Sequence, residues 1–249
     1  MNGRAFFTRA WTVLAVSSLA IGASQAGQGG CSSDAMLVFD GSGSMAEMGY
    51  NGLDVPRIFE AREAMARALP FITPHRALGL ITYGPGSQQN PCANIDLRVS
   101  PARDTAPLII GEINRLEPDG KTPLTHSVAM AVDVLMALGP SGDVVLVTDG
   151  KETCGGQTCQ LAAELMFDAP GIAVHVIGFR VRPDQFQWES VADVEKVAVA
   201  HCLAERTGGS YHSAEGVDQL IGALIETLGC SRLSDTGAIA PGARGSTPA

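Results

Sequence analysis

The sequence predicts a doubly wound α/β fold with a mostly parallel sheet of six strands, one antiparallel edge strand and helices on both faces. Short apolar runs bounded by turn residues alternate along the chain with segments of helical periodicity. Most of these runs are apolar throughout, which is typical of parallel strands buried on both faces. The segment 95–99 instead alternates between apolar and polar residues and follows a polar turn, which predicts an edge strand in a hairpin.

The strands and helices follow each other in a regular order. The predicted strands cover 36–39, 77–83, 95–99, 144–148, 173–179 and 210–212. Two predicted helices begin at Pro56 and Pro123, and four more cover 108–116, 161–167, 191–206 and 217–228. Proline fits the first turn of a helix because it lacks an N–H group that would need a partner. The pair Gly208-Gly209 is a typical helix stop after 191–206.

Length and charge restrict the class of protein. The chain has 249 residues and a net charge of −9, with lysines and arginines scattered. A domain of about 200 residues buries about 70% of its unfolded surface and needs no cofactor to hold its core together. We therefore predict one domain over 31–230. The absence of a basic stripe in the sequence argues against a nucleic-acid partner.

The first residues have the features of a secretory signal peptide. Arg4 and Arg9 are the positive region, and an apolar stretch follows at 10–23. Small residues at positions 24 and 26 lie three before and one before a cleavage site after Ala26, which predicts a signal peptide over 1–26. The apolar stretch is too short for a membrane-spanning helix. The protein is therefore expected to be exported, either to a periplasm or to the outside and the cell surface.

Six cysteines agree with export. An even number in an exported chain predicts three disulfides, although six cysteines allow 15 pairings. Zinc binding is less favoured, because Cys154 and Cys159 lack CxxC spacing and no histidine is near them. Lipid attachment at Cys31 is disfavoured by Gln28, which stands where an aliphatic residue is wanted. The segment 231–249 is rich in small residues and proline and is predicted to be disordered.

The candidate site consists of oxygen-bearing residues at strand ends. Asp40, Ser42 and Ser44 follow the first strand, Asp149 follows the fourth, and Thr122 lies in a loop between them. Parallel strands bring their carboxyl ends to one edge of the sheet, where such folds bind ligands. Carboxylate and hydroxyl oxygens are hard ligands that suit Mg²⁺, Mn²⁺ or Ca²⁺ rather than zinc.

The pattern Asp-x-Ser-x-Ser, a later loop threonine and an aspartate after a buried strand resembles the metal-ion-dependent adhesion site of von Willebrand factor A domains. The resemblance covers about 34–230 and is strongest to bacterial exported members. It implies a Rossmann-like fold in which Ser42, Ser44 and Thr122 bind the metal directly. Asp40 and Asp149 would lie in the inner or second shell. The metal would most often be Mg²⁺, sometimes Mn²⁺ or Ca²⁺, and a carboxylate of a protein partner would complete its octahedron.

The resemblance also bears on the cysteines. Chain ends that meet opposite the metal in this fold imply a Cys31–Cys230 disulfide. We further predict a Cys154–Cys159 clip in the loop after Asp149, which leaves Cys92 to pair with Cys202. Cross-pairing of Cys92 and Cys202 with the two loop cysteines remains an alternative.

The expected function is metal-dependent protein binding without catalysis. A docking subunit of a larger exported assembly is the alternative, and the sequence does not predict an oligomeric state. A nucleotide-dependent oxidoreductase is a distant alternative, because 41–46 matches GxGxxA but follows an aspartate that would face the pyrophosphate. A serine hydrolase is disfavoured, because neither Ser42 nor Ser44 has the GxSxG glycines.

Overall fold

The computed structural model describes residues 31, 33–48, 55–181 and 201–230. The predicted signal peptide, the predicted disordered tail and most of the helix predicted at 191–206 lie outside these residues. Within the described part, no helix is long and apolar enough to cross a membrane.

A single sheet of six strands forms the centre of the fold. The strands are β1 (Asp34–Asp40), β2 (Leu78–Tyr83), β3 (Ile95–Ala102), β4 (Gly142–Thr148), β5 (Ile172–Phe179) and β6 (Tyr211–Ala214). Their spatial order is β3-β2-β1-β4-β5-β6, and only β3 runs antiparallel to its neighbour. The predicted fold class, including its antiparallel edge strand, is confirmed.

Helices cover both faces of the sheet. They are α1 (Arg57–Ile72), α2 (Ala106–Arg115), α3 (Leu124–Leu138), α4 (Thr158–Asp168), α5 (described over 201–207) and α6 (Val217–Leu228). One buried apolar cluster joins the sheet to α1, α2 and α6. A second cluster joins the opposite face to α3, α4 and α5. Side chains on the central strands β1 and β4 contribute to both clusters, which explains their continuous apolar sequences.

The order of the strands places a crevice beside β1. The chain adds β2 and β3 on one side of β1 and then crosses to the other side, where it adds β4, β5 and β6. The connections after β1 and β4 therefore diverge from neighbouring parallel strands. Such a topological switch point, at the carboxyl ends of the strands, is the usual ligand position in doubly wound sheets. Asp40 ends β1, and Asp149 directly follows β4.

Three disulfides join the described parts of the chain. Cys31 pairs with Cys230, as predicted, and the Cys31 backbone N–H donates to the carbonyl of His75 at the end of the sheet opposite Asp40. The other two predicted pairs are wrong. Cys92 pairs with Cys154 and Cys159 pairs with Cys202, each with Cα atoms 5.6 Å apart.

The physical reason is that the two loop cysteines face different neighbours. Cys154 lies against the short 3-10 turn Pro91–Ala93 between β2 and β3. Cys159 lies in the first turn of α4 and faces α5. The pairing is the cross-pairing that the sequence left open, and it fastens the loop after β4 on both sides.

Candidate metal centre at the carboxyl end of the sheet

Asp40 is held rigidly at the end of β1. Its side chain is fully buried, with 0% exposure. Oδ1 accepts a 2.8 Å hydrogen bond from the backbone N–H of Ser42, and Oδ2 accepts a 2.6 Å hydrogen bond from the Thr148 hydroxyl. A carboxylate that accepts both a backbone and a hydroxyl hydrogen bond has a fixed orientation, so Asp40 is preorganised at the rim of the sheet.

Ser42, Ser44 and Asp149 form a chain of close oxygen atoms beside Asp40. The two serine hydroxyls lie 3.1 Å apart, and Ser44 donates a 2.6 Å hydrogen bond to Oδ1 of Asp149. Ser44 and Asp149 are 105 positions apart in the sequence, so only the parallel pairing of β1 with β4 brings them together. The structure thus joins four of the five predicted site residues through direct contacts.

Thr122, the fifth residue, is placed by its backbone. The loop before it lies against the loop after β1, because Gly43 N–H donates to the Gly120 carbonyl and Asp119 N–H donates to the Gly41 carbonyl. The Thr122 side chain is buried. Within the described residues, no hydrogen bond joins its hydroxyl to the other four predicted residues.

The loop after β4 holds Thr122 from the other side. The backbone N–H of Thr122 donates a 2.8 Å hydrogen bond to the Thr153 hydroxyl, and Thr153 N–H donates back to the Thr122 carbonyl. The Glu152 carboxylate accepts hydrogen bonds from the N–H groups of Thr125, in the first turn of α3, and Cys154. Glu152 therefore fastens the two loops together.

Glycines allow the three loops to meet at this rim. Gly84, after β2, has a φ of +112°, and Gly120 has a φ of +78°. A Cβ added at Gly120 would lie 2.3 Å from the Gly84 carbonyl oxygen, and one added at Gly84 would lie 2.5 Å from the Gly41 backbone. A side chain at Gly120 would push the Thr122 loop away from the loop after β2, and one at Gly84 would push the loop after β2 away from the backbone of Gly41 and Ser42.

A buried arginine also reaches the site. Arg57 begins α1, and its side chain is 2% exposed. Its Nη1 lies 3.2 Å from Oδ2 of Asp149 and donates a 2.8 Å hydrogen bond to the Ser44 carbonyl. The side chain of Glu47 lies 3.6 Å from the same nitrogen. The candidate centre therefore combines two buried carboxylates with one guanidinium.

The two carboxylates perturb the ionisation of their surroundings. Burial, followed by the negative charge of Asp40, raises the pKa of Asp149 to about 7, although Ser44 and Arg57 act in the opposite direction. Burial, followed by the charge of Asp40, also raises the pKa of Tyr83 well above its usual value. Without a further cation, this rim is an unfavourable place for a second negative charge.

The donor set fits a hard divalent cation. Oδ2 of Asp149 is buried and accepts no hydrogen bond in the described structure, although Nη1 of Arg57 lies 3.2 Å from it, so this oxygen keeps lone-pair capacity for a metal. Hydroxyl and carboxylate oxygens suit Mg²⁺, Mn²⁺ or Ca²⁺. No group of three or more His, Cys, Asp or Glu side chains suited to a metal occurs in that part of the chain. A site here thus depends on hydroxyls, as a carboxylate-poor Mg²⁺ site does.

Two residues of this centre, Thr148 and Arg57, are not among the site residues predicted from the sequence. Thr148 has a recognisable signal, since it is a hydroxyl residue at the end of a strand directly before Asp149. Arg57 has none, because nothing in the sequence shows that the first turn of α1 folds against the loop after β4.

Comparison with known sequences gives distant relatives. No protein-family model matches the chain. It is 26% identical over 193 residues to YwmD, an uncharacterized protein of Bacillus subtilis (strain 168), over 74% of this chain and 79% of YwmD. It is 39% identical over 72 residues to YwmC of the same organism, which covers 28% of this chain and 31% of YwmC.

Comparison with solved structures identifies the fold. A von Willebrand factor type A protein from Catenulispora acidiphila superposes with a TM-score of 0.56 at 15% identity, over 79% of this chain and 42% of that one. The chain has a von Willebrand factor A fold. This fold also occurs in the pilus adhesin SpaC of Lactobacillus rhamnosus GG, with a TM-score of 0.58 at 16% identity over 82% of this chain.

The minor pilin PilB of Streptococcus sanguinis shares the von Willebrand factor A fold, with a TM-score of 0.54 at 15% identity over 78% of this chain. The present chain spans 42% of the Catenulispora protein, 30% of SpaC and 60% of PilB. These similarities show the fold of the domain. The predicted resemblance to von Willebrand factor A domains is confirmed at the level of the fold.

Proposed function

We propose that the chain is a protein-binding module that uses a divalent cation, held by Asp40, Ser42, Ser44, Thr122 and Asp149, to coordinate an acidic group of a partner. The observation that carries the proposal is the 2.6 Å contact between Ser44 and Asp149 beside the buried Asp40. It brings the loops after β1 and β4 to one point of the topological switch crevice. Mg²⁺ is the preferred ion, with Mn²⁺ or Ca²⁺ as alternatives.

The chemistry follows from the small number of carboxylates. When bound, the cation would act as an electrophile toward an oxygen anion. Ser42, Ser44 and Thr122 would offer neutral hydroxyl oxygens, while Asp40 and Asp149 would supply the negative charge that retains the ion. Mg²⁺ requires nearly octahedral coordination and commonly keeps several waters. A partner carboxylate could therefore replace a water without displacing a protein side chain. This is recognition of a partner and involves no turnover.

The setting of this activity is outside the cytosol. Three disulfides within the described residues are typical of proteins that fold in an oxidising compartment. SpaC is a pilus adhesin and PilB a minor pilin, and both contain the same fold. We propose an adhesion role at the cell surface or in the periplasm. A docking role within a larger exported assembly is the second candidate, favoured by the minor-pilin similarity.

The test measures metal and carboxylate binding separately. Mn²⁺ is titrated into the oxidised full chain, and free Mn²⁺ is followed by its electron paramagnetic resonance signal. We expect one tight Mn²⁺ per chain that Mg²⁺ displaces and that Ser44→Ala removes. Ser213→Ala, which alters an exposed serine outside the centre, should bind normally. Glutarate is then added as a carboxylate probe, and it should reduce the water proton relaxation caused by bound Mn²⁺.

Each of the two measurements has a result that would contradict the proposal. Absence of Mn²⁺ binding, or equal binding by Ser44→Ala, would overturn the metal centre. Normal Mn²⁺ binding with relaxation that glutarate leaves unchanged would overturn the acidic-partner chemistry and leave the metal centre standing.

A further inference from the structure

Arg57 places a fixed positive charge inside the candidate metal centre. Its guanidinium contacts Oδ2 of Asp149 at 3.2 Å and the Ser44 carbonyl at 2.8 Å, and it is almost completely shielded from water. An arginine cannot lose its proton in a protein, so this charge stays in the site at every physiological pH. A divalent cation held by Asp149 would therefore bind close to a permanent like charge.

The hydrogen bonding around Arg57 is incomplete. Four buried side-chain nitrogen and oxygen atoms in the described part of the chain lack a hydrogen-bond partner. They are Nε of Arg57, Oδ2 of Asp149, Oε2 of Glu60 and Nε of Arg180. All four atoms belong to two buried ion pairs that α1 forms through its first turn, Arg57–Asp149 and Glu60–Arg180. The two pairs are alike in burial and in incomplete hydrogen bonding, and they differ in that Arg57–Asp149 includes a predicted site residue whereas Glu60–Arg180 does not.

We propose that Arg57 is a positioning residue that acts as an internal counter-ion. In the metal-free protein it stabilises the charged form of Asp149, and in the metal-bound protein it opposes the cation. This inference rests on the proposed function. It makes Arg57 the residue that limits metal affinity, in contrast to Asp40 and Asp149, which raise it.

The charge balance suggests why such a residue is useful. A divalent cation and the two aspartates sum to zero, so a centre with those groups alone has no net attraction for an anion. Arg57 raises the sum of the buried charges to +1. The Glu47 carboxylate lies 3.6 Å from Arg57 but is 52% exposed, so water and salt screen its opposing charge. An acidic partner would then find a positive centre whose aspartates and arginine are buried, and electrostatic attraction is stronger in such surroundings than in bulk water. Arg57 thus weakens retention of the ion and favours binding of the partner carboxylate.

The experiment replaces the charge and follows two quantities in the full, oxidised chain. For Arg57→Gln we expect Mn²⁺ affinity to rise about tenfold, a modest effect for the removal of a close like charge. Thermal stability in EDTA should fall, because Asp149 loses its counter-ion. These opposite signs identify a counter-ion, since loss of a merely structural residue would lower both quantities. Arg57→Lys retains the charge and should bind Mn²⁺ within about twofold of wild type.

Arg180→Gln is the matched control. It breaks the other buried ion pair of α1, whose carboxylate belongs to Glu60 instead of a site residue. It should lower thermal stability in EDTA without strengthening Mn²⁺ binding. Arg57→Met, a second neutral variant that fills a similar volume, is measured at low temperature if Arg57→Gln does not fold.

The outcomes separate this inference from the proposed function. Unchanged or weaker Mn²⁺ binding by a folded neutral variant would overturn the role of Arg57, with the metal centre intact in wild type. A gain in affinity for Arg180→Gln equal to that of Arg57→Gln would also overturn it, because the effect would then be general loosening of α1. Failure of wild type to bind Mn²⁺ would instead overturn the metal centre itself.

Discussion

Thr148 on β4 donates a 2.6 Å hydrogen bond to Oδ2 of Asp40 on the neighbouring strand β1. The Tyr83 hydroxyl, from the strand on the other side of β1, lies 3.3 Å from the Thr148 hydroxyl oxygen and donates to it. A threonine, a tyrosine and an aspartate from three adjacent strands thus form a buried hydrogen-bonded group beneath the candidate metal centre. This group fixes the carboxylate that the proposed cation requires.

The first prediction concerns this group. Thr148→Val keeps the shape of the side chain but leaves one oxygen of the buried Asp40 without its donor. We expect a loss of about 1–3 kcal/mol in the free energy of unfolding, measured with urea in the presence of EDTA. Tyr83→Phe is the control, because it removes only the longer hydrogen bond and should cost less. A Thr148→Val protein as stable as wild type would show that Asp40 does not depend on this donor.

The second prediction is a pH dependence of the metal-free protein. Burial and the charge of Asp40 raise the pKa of Asp149 from 3.8 to about 7. The folded state therefore holds this proton more tightly than the unfolded state. The stability that the protonated group contributes is fully present below about pH 4 and is lost as the pH rises through about 7. The effect is on the order of a few kcal/mol.

Thermal unfolding in EDTA between pH 4 and 8 tests this sign. The difference in stability between wild type and Asp149→Asn should shift against wild type as the pH rises, since asparagine does not titrate. With Mg²⁺ at saturating concentration the stabilisation by metal should instead increase with pH, because a cation competes with the proton. A difference between the two proteins that is independent of pH would contradict the raised pKa.

The third prediction separates two disulfides by function. Cys92–Cys154 fastens the loop whose Glu152 and Thr153 hold the Thr122 segment. Replacing both of these cysteines with serine should weaken Mn²⁺ binding as well as stability. Replacing Cys31 and Cys230, at the opposite end of the sheet, should reduce stability by up to about 5 kcal/mol on the chain-entropy account and leave Mn²⁺ affinity unchanged.

Equilibrium unfolding and Mn²⁺ titration of the two double variants provide the comparison. Equal Mn²⁺ affinities in both would show that the loop after β4 keeps Thr122 in place without its disulfide.

The fold was accessible from the sequence because its signals are local. The apolar run that ends at Asp40 identified β1, and helical periodicity located α6 at its observed bounds, Val217–Leu228. The start of α4 was less accessible. It begins at Thr158, three residues before the predicted start, where the hydroxyl of Thr158 contacts that of Thr125 on α3 and Cys159 bonds to Cys202. These tertiary contacts extend the helix beyond its apolar stripe.

The site was accessible only in part for a similar reason. Strand ends bring Asp40 and Asp149 together by topology, so their proximity follows from the alternation of strands and helices. The position of Arg57 and the disulfide partners of Cys154 and Cys159 depend instead on which loops and helix ends pack beside each other along the rim. That choice is made by three-dimensional packing, and no periodicity or spacing in the sequence records it.

The most direct test of the proposed metal centre is thermal unfolding of the oxidised chain in EDTA and with increasing Mg²⁺, Mn²⁺ or Ca²⁺, beside Asp40→Asn. At 100 times its dissociation constant, a bound ion should add about 2.7 kcal/mol. For a domain of this size the unfolding midpoint should then rise by about 5–10 °C. We predict a saturable rise in wild type that Asp40→Asn loses. An equal rise in both proteins, or none with any of the three ions at millimolar concentration, would contradict a metal centre built on Asp40.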